Sequence, residues 1–144
     1  MAGIREYAAR GIPIYVLDAN ESLIRSILAA PHHQYLDSLA RAPRAPILRV
    51  VRDRTVIGQG PNRIELIPYR TEGLDRMLFA LIPEQQIAYT AEGAQLYGTS
   101  VFFPQNAIEA VDRIEHVLGK QPARFIGMHV PVTPWETLLK ALGR

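Results

Sequence analysis

A chain without cysteine must hold a metal or move a proton mainly through histidine, aspartate and glutamate, and this one has four histidines: His32, His33, His116 and His129. His129 stands apart by its context. It follows the apolar run ARFIGM and precedes VPVTPWETLLKAL, so a strand, a loop and a short amphipathic helix converge on it. An imidazole delivered there can ligate a metal, or it can bond a backbone group or Thr133 and cap the strand end. His32 and His33 are adjacent, so their side chains diverge by about 100° in a helix and lie on opposite faces in a strand. That divergence suits a solvated helix end after Pro31 better than chelation of one ion. His116 lies off the apolar stripe of its segment and reads as a surface residue. Among the acids, Glu92 follows the strand-like IAYTA and Asp75 precedes MLFALI. A carboxylate at a strand end serves a metal or caps a turn.

Other catalytic signatures fail. Ser22, Ser26, Ser38 and Ser100 lack the flanking glycines of a nucleophile elbow. The glycine-rich IGQGPNRIE has neither the lysine nor the following helix of a phosphate loop. The residues alone therefore mark one candidate site, around His129.

The elements that must position it alternate along the chain. The spacing predicts the last turns of a helix over 3–10, ended by Gly11, then a strand over 12–17. A helix over 20–30 follows, with Asn20 as N-cap and Leu23, Ile24, Ile27 and Leu28 on its apolar face. Strands are predicted at 47–51 and on both sides of the turn IGQGPN. MLFALI, 77–82, is apolar throughout and predicts a strand buried on both faces. PEQQ turns the chain into a strand over 87–91. Ile108, Val111, Ile114, Val117 and Leu118 have helical spacing within 107–120, with Gly119 as its stop. After a strand over 123–128, Thr133 and Glu136 have capping-box spacing around Pro134, predicting a last helix. The order predicts one α/β domain with a mixed sheet.

Composition narrows the class. The 144 residues carry a formal charge of +2, with 48% hydrophobic and 21% charged residues, as in an ordinary globular domain. The pI near 9.2 comes from scattered arginines, with no basic run or aromatic interleaving to suggest nucleic-acid binding. No apolar run is long enough to span a bilayer and no signal-peptide pattern opens the chain, so a cytoplasmic protein is expected.

The string YRTEGLDRMLFALIPEQQIAYTAEGAQLYG, followed at a distance by RFIGMHVPVTPWETLLKAL, resembles the C-terminal half of a metallo-β-lactamase-fold hydrolase. GIREYAARGIPIYVLDANESLIRSILAAP is similar to the helix, strand and helix after that family's metal-binding motif. The resemblance implies half of an αββα sandwich over residues 1–144, with a mixed sheet and helices on one face. It also implies which zinc ligands to look for. The family's His-x-His-x-Asp-His has no counterpart in this sequence. Its middle histidine falls on Gly73 or Arg70, neither of which binds zinc in that manner. Its bridging aspartate falls on Glu92 and its final histidine on His129.

Two ligands are too few for hydrolytic zinc, which takes about three protein ligands and an activated water. The resemblance thus implies a non-catalytic module whose inner sheet face is covered by a second copy, in a homodimer, or by a complementary N-terminal half. The alternative is a zinc-dependent hydrolase whose site, using Glu92 and His129, is completed across that interface.

Overall fold

The structure, a computed structural model, describes residues 3–34, 36–73, 75–128 and 130–144, with Val130 by its backbone alone. The chain gathers into two compact units, Met1–Arg52 and Asp53–Arg144.

In the first unit, helix α1 (Ile4–Ala9) leads to β1 (Ile14–Leu17), a 3-10 turn, α2 (Glu21–Ala29), the short α3 (Ser38–Arg41) and β2 (Leu48–Val51). Gly11 takes a φ of 69° and its N–H bonds Ala8 O, so the predicted glycine stop forms. β1 and β2 pair in parallel, Val16 opposite Val50, with α2 in the connection between them. Ala8, Val16, Ile24, Leu28 and Leu39 form the core. Leu23 is 48% exposed: the stripe closes at Ile24, Ile27 and Leu28 and leaves Leu23 on its edge. Asn20 precedes α2 but its side chain makes no capping bond, because a 3-10 turn over Asp18–Asn20 already brings the chain into helical conformation.

The second unit is built on a six-stranded sheet. Its strands are β3 (Thr55–Ile57), β4 (Ile64–Tyr69), β5 (Met77–Ile82), β6 (Ile87–Thr90), β9 (Arg124–Gly127) and β10 (Val130–Pro134), in spatial order β10-β9-β6-β5-β4-β3. A separate hairpin, β7 (Gln95–Tyr97) with β8 (Ser100–Phe102), precedes helix α4 (Pro104–Leu118), and α5 (Trp135–Ala141) closes the chain. β6 and β9 are parallel, joined through α4, whereas the other neighbours in this sheet are antiparallel. The predicted mixed sheet is therefore present.

Register sorts its two faces. Ile67, Phe79, Leu81, Ala88 and Phe125 share one core with Ala107, Ala110, Val111 and Ile114 of α4 and Trp135 and Leu138 of α5. Alternation puts Ile64, Leu66, Pro68, Leu78, Ala80, Ile82, Ile87, Tyr89 and Ile126 on the opposite face. The expectation that MLFALI is buried on both faces is corrected here: Phe79 and Leu81 are fully enclosed, while Leu78, Ala80 and Ile82 keep partial exposure. α4 and α5 seal only one side.

The capping box at Thr133 and Glu136 does not form. β10 runs on through Pro134, and the Thr133 hydroxyl donates to Pro131 O at 2.8 Å. Pairing with β9, Thr133 opposite Phe125, wins over the local capping geometry.

Candidate functional site

The geometry around Glu92 starts with the one parallel pair of the six-stranded sheet. Parallel strands end side by side, and Thr90 at the end of β6 lies opposite Gly127 at the end of β9. One further bond, Met128 N–H to Ala91 O at 3.3 Å, carries the pairing past both ends. Glu92 emerges there, exposed, and its carboxylate accepts from the Gln95 side-chain amide. His129, the other candidate ligand, lies outside the described residues.

Beneath Glu92 is a buried polar knot that the sequence reading passed over. Tyr69 and Thr90 are 3% and 0% exposed, and their oxygens lie 3.4 Å apart. Gly93 N–H donates to the same Thr90 hydroxyl at 3.3 Å. Burial pushes the Tyr69 phenol above its ordinary value, with the Thr90 contact opposing, so the ring remains a neutral hydrogen-bonding partner. A Cβ on Gly93 would come within 2.7 Å of Thr90 Oγ1 and closer still to Tyr69 Oη. The knot therefore fixes the turn that presents Glu92. Alternation along β4 and β6 puts Tyr69 and Thr90 on the core side, where Glu65 also lies, and buried hydroxyls need partners, but no spacing in the sequence shows that these two meet.

The position implied for a middle histidine is occupied differently. Glu72 N–H donates to Glu109 Oε2 at 2.8 Å, and a Cβ on Gly73 would lie 2.8 Å from Asn106 Oδ1. Residues 72–73 are thus packed onto α4, and Arg70 is exposed. Asp75 is exposed, as is His116 on the last turn of α4. His32 and His33 lie in the first unit, where His32 Nδ1 is 3.6 Å from Asp37 Oδ2. His33 is exposed, as expected of a solvated helix end, while His32 sits beside the Arg5–Asp37 pair.

Among the described residues no three histidines, aspartates or glutamates gather where they could hold a metal ion. Hydrolytic zinc sites take about three protein ligands with one position left open. The described donors do not fit such a centre. What the arrangement offers chemically is one exposed carboxylate at a strand end, fixed from below by the knot.

No family model and no curated protein matches the chain. Solved structures do. A metallo-β-lactamase from Pontibacter korlensis superposes with a TM-score of 0.61 at 14% identity, over 98% of this chain and 61% of that one. A protein named TMB-1 gives 0.59 at 15% identity, over 99% and 60%. A metal-soaked Flv1 flavodiiron core from Synechocystis gives 0.50 at 15% identity, over 97% and 45%. At these identities the likeness shows the fold: an α/β arrangement of the metallo-β-lactamase type. The chain spans about three-fifths of the length of the first two. No helix among the described residues is long and apolar enough to cross a membrane.

Proposed function

We propose that this chain, as it stands, is a non-catalytic, self-associating module of the metallo-β-lactamase fold. The donor set carries the reading. The sequence has four histidines; two are adjacent in the first unit, one is exposed on α4, and one follows β9. A family-type zinc centre needs more imidazoles converging on one sheet edge than this distribution supplies. Self-association is supported by the sheet face away from α4 and α5, where β4, β5 and β6 place apolar residues throughout: Leu66 and Ile87 are buried there, but Leu78, Ala80 and Ile82 are partly exposed and Tyr89 is 38% exposed. A two-fold pairing of this face satisfies both copies at once.

Light scattering on a sizing column tests the reading. The expected mass is twice the 16.1 kDa chain, falling to the single-chain mass in Tyr89→Lys. A single-chain mass at every concentration would remove the self-associating part.

One observation favours a second reading. β6 and β9 end side by side, and in the sequence Glu92 and His129 each follow their strand's last residue by two positions. Two such sites, or one site joined by a partner that brings the front-half ligands, would make a zinc-dependent hydrolase completed across an interface. On that reading zinc travels with the dimer and is lost in His129→Ala.

A further inference from the structure

The first unit contains a cleft of about 320 Å³ between α1, the end of α2, the segment after it and α3, within the usual size range of small-molecule sites. Its lining divides by depth. Leu28, Leu39 and Arg5 are buried, at 7%, 6% and 8% exposure, whereas His33, Arg44 and Leu36 are exposed. The inner wall is thus apolar with one guanidinium set in it, and the mouth sets the Arg44 guanidinium beside one leucine.

Charge accounting gives the sign of a ligand. Arg5 Nε and Nη2 donate to the two Asp37 oxygens at 2.5 and 3.2 Å, and Nη1 donates to Ile27 O and Leu28 O. These bonds use four of the five N–H groups of a guanidinium, leaving one at Nη2. Arg5 and Asp37 cancel in charge. Arg44 has no carboxylate partner among the described residues; its Nη1 reaches only Ala9 O, at 3.5 Å. The cleft is therefore left with net positive charge, spare donors and leucine walls. Inorganic phosphate would use the charge and waste the leucines, while a neutral lipid would strand the donors.

We propose that this cleft binds a small monocarboxylate with an apolar tail, the carboxylate held at Arg44 and the tail against Leu28, Leu39 and Leu36. Nothing in it depends on a metal or on self-association.

Calorimetric titration of the full chain with octanoate, octanol and inorganic phosphate tests it. One saturable octanoate site is expected, with octanol and phosphate each about tenfold weaker or more, as loss of a charge-assisted bond or of the tail contact would produce. Arg44→Ala should weaken octanoate about tenfold and leave octanol unchanged. Arg44→Lys should recover part of the loss, and Leu36→Ser should weaken octanoate and octanol alike. Because Arg44 and Leu36 are exposed, the melting temperature should hold in each variant. Absence of a saturable octanoate site, equal binding of octanol or phosphate, or indifference to Arg44→Ala would each overturn the proposal.

Discussion

At the scale of single residues, two ion pairs make opposite demands. Asp37 accepts from Arg5 and from Ala40 N–H. The Arg5 guanidinium, more than any other group, holds its carboxyl well below the ordinary 3.8, at about 2, with partial burial opposing. A carboxyl whose folded value is depressed contributes stability that is complete above its ordinary value and is lost as pH falls through the folded one. The melting temperature should therefore fall between about pH 4 and about pH 2 in the wild-type chain. In Asp37→Asn it should start lower and lose this step, which acid-range thermal scans would show. In the second unit, Glu65 is 2% exposed, with Arg54 at 2.5 Å and Arg63 at 3.5 Å. Arg54→Ala would leave a buried carboxylate with the poorer partner and should cost about 1–3 kcal/mol in urea unfolding. Glu65→Met should cost less, because both arginines can turn to water and an apolar side chain replaces the charge. Neither pair was legible in the sequence. Arg5 and Asp37 are 32 positions apart, and no local pattern couples residues across that distance.

At the scale of elements, the periodic segments were the legible ones. The α4 stripe through Val111 and Ile114, the glycine stops at Gly11 and Gly119, and the strands at β4, β5 and β6 follow from spacing and turn chemistry. β10, the β7–β8 hairpin and α3 did not. Each is short: β7 and β8 have three residues apiece around the turn at Gly98, too few for alternation to show, and α3 is started by a single contact, the Asp37 side chain accepting from Ala40 N–H. The capping-box signal at Thr133 was real in the sequence and lost to sheet pairing. Of the candidate site, the strand-end position of Glu92 was legible, but the Tyr69–Thr90–Gly93 knot beneath it was not. Gly93→Ala should cost about 1–3 kcal/mol, as overpacking against that knot demands, measurable by chemical unfolding. Gln86→Gly should do the reverse. Gln86 is exposed with a φ of 53°, and its bonds to Ala123 and Arg124 use only its carbonyl oxygen. Relief of the left-handed strain should outweigh glycine's added chain entropy by about 0.5–1 kcal/mol.

At the scale of the whole molecule, the likeness to metallo-β-lactamases fixes the fold and leaves the chemistry to the residues. The four histidines are spread along the chain, and the described residues bring no three ligating side chains together. The sheet presents helices on one side and an apolar face on the other. On the proposed reading the chain would act through what covers that face, which is why self-association stands at the centre of the proposed function. Zinc and oligomeric state are best measured together. Purified chain is incubated with excess zinc and passed over a sizing column with light scattering, and the metal in each peak is counted per chain, for wild type and His129→Ala. A dimer that carries no retained zinc and behaves identically in the variant is the expected result. Zinc held stoichiometrically in the dimer peak and lost in His129→Ala would contradict it, and would establish a metal site completed across the interface.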